Sequence, residues 1–358
     1  GQVYPGQMDS TFVPVRSHHY DPELTFDFCV NEPAWNNQAG IHSAFGSTDR
    51  LYFRKEVPVN HNNDLSSSYS TTVWRGERAN AQILVWSSEA LEQVRVSTQD
   101  LRSAEGNIIP KDRITFELVR YVLSNYPYAE KKAICGESPY KSGFLMPDRF
   151  ETLDRFDLPS QTTRPVWMMV DVPRGTVPGT YKGQVEVRAK GKAPQLLNLE
   201  IVVQNQLLPY PKDWKYRLDL WQNPWAVAWY NHVEPWSPEH KMLLKQHLKH
   251  YADAGGTYIT TYGVHSPWSD NSYMIEGGMI EWIKKADGTW AFDYKIFDEY
   301  VELAMECGID EAITLYTPIP WGFRHRYKDE ATGDYSYINW APSSEEFKRS
   351  EEHTSELQ

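Results

Sequence analysis

The chain has 358 residues, enough for two or three domains, or for one small domain and part of a large one. A formal net charge of -12 excludes the basic face of a nucleic-acid binder and argues against docking on anionic membranes. Three scattered cysteines (Cys29, Cys135 and Cys307) exclude a disulfide framework and read as buried or free thiols, and no stretch approaches the ~20 apolar residues of a membrane span.

Residues 1–23 read as an N-terminal extension. The chain opens Gly1-Gln-Val-Tyr4 without an initiating Met or a signal-peptide core, so either a leader has been removed or the sequence begins inside its gene. A periplasmic, cell-surface or secreted parent is the expectation.

Residues 24–208 carry the period of strands. Ala81–Trp86 and Val94–Ser97 are short apolar runs. In Ile114–Val122, Ile114, Phe116 and Leu118 alternate with polar neighbours, and Pro165–Val172 is almost continuously apolar. After the turn Val177–Thr180, Val185, Val187 and Ala189 share one face. Gly191–Pro194 turns the chain, and Leu197, Leu199, Ile201 and Val203 return with the same period of two. Strands separated by Gly, Pro and Asn turns predict an all-β sandwich.

The segment Leu207–Asp213, with two prolines, reads as a domain junction. Beyond it, residues 209–348 change period. Tyr216–Trp221 is a strand candidate. Ser237-Pro238-Glu239 opens a helix as N-cap, first helical position and first-turn acid. Met242, Leu244, Leu248, Tyr251 and Ala252 give that helix its apolar stripe, and Gly255-Gly256 ends it. Thr257–Gly263 is a second strand, Tyr294–Cys307 a second helix closed by Gly308, and Ala312–Thr317 a third strand. Strand-helix-strand-helix-strand implies parallel pairing. The expected architecture is an incomplete (β/α)8 barrel of about three βα units, against the eight of a closed barrel. A doubly wound sheet is the second choice, and no Gly-rich phosphate loop follows any of the strands to support a nucleotide-binding version.

In a barrel the working residues follow the C-terminal strand ends. That rule selects Trp221-Gln-Asn-Pro-Trp225, Tyr262–Trp268 and Tyr316–Phe323. Nine of the 14 Trp lie between Trp221 and Trp340, which suits sugar rings whose apolar faces stack on indoles. The candidate substrate-binding residues are Trp221, Gln222, Asn223, Tyr262, His265, Tyr316 and Trp321. The competing reading packs the tryptophans under the loops and uses the polar groups as turn caps. Glycoside hydrolysis usually needs two carboxyl groups. Of the Asp-Glu pairs, Asp298-Glu299 lies within a helix, and Asp310-Glu311 precedes the third strand on the wrong face. Asp329-Glu330 follows that strand and is the alternative catalytic pair, although Tyr327–Tyr335 reads as a solvated hairpin with a Thr-Gly turn. No HExxH or Gly-x-Ser-x-Gly is present, and His247 and His250 read as surface residues rather than metal ligands. No cofactor or metal is expected.

Three stretches carry a resemblance: Trp74-Arg-Gly-Glu-Arg-Ala-Asn-Ala-Gln82, Pro178-Gly-Thr-Tyr-Lys-Gly183, and Leu315–Trp321 leading to Tyr337-Ile-Asn-Trp-Ala-Pro342. Their order resembles bacterial proteins of glycoside hydrolase family 123, in which an N-terminal β-sandwich precedes a (β/α)8 catalytic barrel. The resemblance implies a β-N-acetylgalactosaminidase-like enzyme acting on glycan ends by substrate-assisted retaining catalysis. It also implies an Asp-Glu pair beyond Lys348, with no catalytic residue transferred to this chain. A non-catalytic carbohydrate-binding or structural module is the competing class. The last ten residues, 349–358, back-translate into a string resembling a sequencing adapter and are left out of fold reasoning. The expectation is therefore an inactive fragment of a glycosidase.

Overall fold

The computed structural model describes residues 32–58, 65–124, 144–265, 278–316 and 319–345. The N-terminal extension, Cys29, Cys135, Trp268, Thr317-Pro318, the side chain of Trp321 and the 349–358 tail lie outside the described parts. The chain divides into two compact units, with the break between Leu208 and Pro209.

The first unit contributes β1 (His42–Gly46), β2 (Ser68–Arg75), β3 (Arg78–Ser87), β4 (Leu91–Thr98), β5 (Leu101–Arg102), β6 (Ile108–Ile109), β7 (Ile114–Ser124), β8 (Phe144–Thr152), β9 (Phe156–Leu158), β10 (Thr162–Asp171), β11 (Gly179–Arg188) and β12 (Gln195–Leu207). They form two sheets, ordered β1-β3-β10-β7-β8 and β2-β12-β11-β4-β9, with β5 and β6 attached beside β11. The pairings are antiparallel except β2 on β12. Alternation sets which side chains turn inward. Val185 and Val187 of β11 meet Leu197 and Gln195 of β12, and Leu197, Leu199, Ile201 and Val203 are all buried. Ile83 and Val85 of β3 and Met168 and Val170 of β10 supply the facing layer of the same core. Each such side chain stabilises the fold by roughly 1.5–3 kcal/mol on burial. The unit is a β-sandwich, as the period of two predicts.

The second unit holds α1 (Pro224–Asn231), α2 (Pro238–Asp253), β13 (Tyr258–Tyr262), β14 (Glu281–Lys284), β15 (Trp290–Asp293), α3 (Lys295–Glu306), β16 (Ala312–Tyr316), β17 (Arg324–Asp329) and β18 (Tyr335–Asn339). The Ser237 side chain caps α2 by accepting from His240 N, and Pro238 takes the first helical position. Gly255 ends the turn with φ +92°, and a Cβ on Gly256 would lie 2.3 Å from the Tyr251 ring, so both glycines are required there. β13 pairs in parallel with β16, Thr260 opposite Thr314 and Tyr262 opposite Tyr316.

The expected first strand, Tyr216–Trp221, is reduced to one parallel bridge, Leu218 to Gly256. Its backbone is served by a side chain instead of a ladder. The Tyr251 hydroxyl lies 2.6 Å from Leu218 O and 2.8 Å from Tyr258 O, and accepts from Leu220 N at 3.3 Å. Helix α1 is an addition to the expected elements, made from a segment read as a loop. A second addition is a sheet built from the two post-strand segments. β14 and β15 follow β13, β17 and β18 follow β16, and together they run β15-β14-β17-β18. The hairpin expected around Tyr327–Tyr335 is β17–β18, with Gly333 at φ +79° in its turn.

Candidate functional site

Alternate residues on a strand share a face, and this places two layers of side chains at the ends of β13 and β16. Thr260 and Thr314 are register partners, as are Tyr262 and Tyr316 two residues later. The segment before α1 keeps the same spacing, with Asp219 at the level of the threonines and Trp221 at the level of the tyrosines. Asp219 Oδ1 accepts from Thr260 Oγ1 at 2.7 Å, and Oδ2 from Thr314 Oγ1 at 2.9 Å. One carboxylate thus ties three successive segments together beneath the aromatic layer.

In that upper layer the Trp221 and Tyr316 rings meet edge to face, centroids 4.5 Å apart. Tyr262 lies 6.0 Å from Tyr316 and 5.9 Å from Trp225. The Tyr262 hydroxyl donates to Gln222 O at 2.6 Å. Burial, reinforced by Tyr300, Asp219 and Tyr316, pushes that hydroxyl's pKa far up, so it remains a donor throughout the physiological range. Trp221 is 53% exposed and offers an open aromatic surface.

The expected polar readers take different places. Gln222 Nε2 is buried and finds no hydrogen-bond partner among the described residues. Buried donors are rarely left so. Asn223 Oδ1 caps α1, accepting from Ala226 N at 3.1 Å, a structural role matching the turn-cap alternative. His265 is half-buried and close enough to His325 to lower its pKa. His325 itself is fully buried between Trp282 (5.2 Å) and Trp340 (5.5 Å), and its Nδ1 donates to Phe323 O at 3.2 Å. Burial pushes its pKa down to about 4, so it is neutral at pH 7. Asp219 and His325 both escaped the sequence reading. Counting back two from Trp221 marks Asp219, and alternation in Arg324-His-Arg-Tyr-Lys328 marks His325 as the inward residue.

The Asp-Glu pairs have structural partners. Glu330 binds Lys285 Nζ at 3.1 Å and Ala286 N at 3.2 Å, which lowers its pKa, and Asp329 Oδ1 accepts from Ala331 N at 2.9 Å within the hairpin turn. Glu311 accepts from Thr257 Oγ1 at 2.9 Å and Tyr258 OH at 3.2 Å, at the entry ends of the strands. Glu299 pairs with Lys241 at 3.3 Å. His247 and His250 are exposed on α2, and among the described residues no group of His, Cys, Asp and Glu is placed to hold a metal.

Comparison with known proteins adds the following. Residues 221–353 match the glycoside hydrolase 123 catalytic domain, and residues 45–189 match the glycoside hydrolase 123 N-terminal domain. The fold is similar to a solved family 123 glycoside hydrolase from Clostridium perfringens, studied for glycolipid glycan hydrolysis. The TM-score is 0.78 at 24% identity, covering 88% of this chain and 55% of that one. The chain therefore spans little more than half of that enzyme's length. Much weaker likenesses include a PapD-like domain of human CEP192 (TM-score 0.24, 12% identity, 52% of this chain and 99% of that one). A Bacteroides ovatus GH5 xyloglucanase in complex with a heptasaccharide is as remote (TM-score 0.20, 8% identity, 69% of this chain and 43% of that one). Neither carries an argument. No curated protein matches the chain in sequence.

Proposed function

Because this chain belongs to glycoside hydrolase family 123, we propose that its strand-end aromatics bind a terminal β-linked N-acetylgalactosamine, and that the whole enzyme releases that sugar by substrate-assisted retaining catalysis. The observation that carries the sugar site is the orphan donor, Gln222 Nε2, set beside the open face of Trp221 and the Trp221–Tyr316 contact. A flat apolar surface beside an unused buried donor suits a ring with one apolar face and a hydroxyl rim. Tyr262 and Tyr316 support Trp221 from behind, and the Asp219–Thr260–Thr314 layer holds the three segments in register.

In the proposed reaction the substrate's 2-acetamido oxygen attacks the anomeric carbon, and no protein nucleophile is needed. A carboxylic acid protonates the leaving oxygen, and a neighbouring carboxylate orients the acetamido group. The acid must hold its proton near neutral pH, which requires a raised pKa. Glu330 has the opposite shift, and its Lys285 and Ala286 contacts stabilise the anion. We therefore assign the acid and its partner to sequence following Lys348, on barrel strands that continue the β13–β16 parallel order.

Two measurements test this. N-acetylgalactosamine quenches the tryptophan fluorescence of the chain, and Trp221→Ala weakens that binding at least tenfold; equal binding by the variant removes Trp221 from the site. The chain alone leaves a chromogenic β-N-acetylgalactosaminide intact, and the chain extended by its gene's downstream sequence hydrolyses it. Hydrolysis by the chain alone that Glu330→Gln abolishes overturns the assignment of the acid.

A further inference from the structure

The β15-β14-β17-β18 sheet has two unlike faces, because its side chains alternate. Trp282, His325 and Tyr327 turn to the buried side. Their strand neighbours Glu281 and Arg326 turn to the other, where they border a cavity of about 520 Å³ together with Asp293 and Tyr335. The far wall comes from the helices: Trp225 of α1, the Glu234–Ser237 turn, Lys241 of α2, and Lys295 and Glu299 of α3. The volume lies within the ~300–1,000 Å³ range of small-molecule sites.

An aromatic row joins this cavity to the strand-end site. Trp225 sits 5.9 Å from Tyr262 and 5.8 Å from Trp236, and both tryptophans line the cavity. The Trp236 turn is held in advance. His240 is buried, its Nδ1 accepts from Trp236 N at 2.8 Å, and its Nε2 donates to Pro224 O at 2.8 Å. That clamp retains Trp236 at φ +64°, a left-handed conformation that a bulky residue seldom adopts.

The cavity's polar groups are of both kinds. Lys241 pairs with Glu299, Tyr335 donates to Glu281, and the Arg326 guanidinium stacks 3.6 Å over the Tyr335 ring. Glu234 and Lys295 also line it, and no side-chain hydrogen bond or ion pair engages either among the described residues. A free acceptor and a free donor beside aromatic edges fit a polyhydroxylated ring. Four lining carboxylates, Glu234, Glu281, Asp293 and Glu299, stand against three bases, which disfavours an acidic one.

We propose that this cavity is a second sugar position, taking an uncharged hexose or hexosamine unit further along the glycan whose terminal residue binds at Trp221. The inference rests on the sugar-binding reading above and extends the substrate from one residue to a neutral oligosaccharide. Isothermal titration of the full chain tests it with three probes: N-acetylgalactosamine, a neutral tetrasaccharide ending in β-linked N-acetylgalactosamine, and that tetrasaccharide carrying a sulfate. The expected result is at least tenfold tighter binding of the neutral tetrasaccharide than of the monosaccharide. Glu234→Gln combined with Lys295→Met reduces the tetrasaccharide to the affinity of the monosaccharide. A tetrasaccharide no tighter than the monosaccharide, or a double variant that binds it like the wild type, overturns the proposal. Tighter binding of the sulfated probe overturns the neutral class. Tetrasaccharide binding that needs Glu234 and Lys295 but not Trp221 sinks the strand-end reading and leaves this one standing.

Discussion

The two units bury their interiors in different ways. The sandwich core is aliphatic, built from residues such as Ile83, Val85, Val185, Leu199 and Ile201, with Phe45 and Tyr181 as its buried aromatics. Half of the second unit's buried cluster is aromatic, including Trp225, Tyr262, Trp282, Tyr300 and Trp340. Aliphatic side chains on paired strands close a core without polar obligations. Tyrosine and tryptophan bring polar tips that must be placed. In the second unit some of those tips replace backbone pairing, as Tyr251 does for Leu218 and Leu220, and Tyr262 for Gln222. Others stay unmatched: Trp282 Nε1 and Tyr300 OH have no partner among the described residues. The sandwich is therefore the self-sealing unit, and the second unit is where open aromatic faces and unused donors collect.

That contrast can be broken or sharpened by substitution, followed by calorimetric melting with each unit's transition resolved. The largest effect is expected for Trp282→Ala, which removes the ring at the centre of the contacts with Trp290, Phe292, His325 and Trp340. It should cost about 3–5 kcal/mol in the second transition and leave the sandwich transition in place; loss of both together would deny that the units melt separately. Ile83→Ala in β3 should cost about 2–4 kcal/mol in the sandwich transition instead.

Next comes pH. An unfolded histidine titrates near 6.5, whereas folded His325 titrates at about 4. Between these values the unfolded chain binds the extra proton. The stabilisation is thus full above pH 6.5 and falls progressively to pH 4, by about 3 kcal/mol in all. His325→Phe should flatten that part of the second unit's pH profile, and an unchanged slope would remove His325 as its cause. Asp219→Ala should cost about 1–2 kcal/mol, because the buried Thr260 hydroxyl loses its acceptor. It should also weaken N-acetylgalactosamine binding through the aromatic layer above; intact binding would separate the two layers. The smallest effect is expected for Glu330→Gln, whose exposed hairpin contacts should leave both midpoints unmoved.

The sandwich strands were legible because period two survives wherever one face of a strand is buried. Helix α2 was equally legible, since Ser237, Pro238 and Gly255 each have a local reason for their positions. The strand ends could be found too, which brought Trp221, Tyr262 and Tyr316 into the candidate site before their contacts were known. Helix α1 was missed because its capping residue, Asn223, and its Pro224 sit in a stretch that also reads as a polar loop. The β14–β15 hairpin went unread even though Asp287-Gly288 is a turn signal and Gly288 takes φ +85°. Four-residue strands carry too little alternation to stand out, and they are stable here through a sheet shared with β17 and β18.

What this amino-acid sequence determines by itself is local: the period of each strand, the caps of α2, the turn glycines and the supply of aromatic side chains at strand ends. Nearest neighbours along the chain suffice for these. Tertiary structure decides which aromatics meet, that Asp219 joins Thr260 to Thr314, and that two distant post-strand segments make one sheet with a cavity against it. Those pairings link residues tens of positions apart, and only the closed, packed fold fixes the separation on which a ring contact or a hydrogen bond depends.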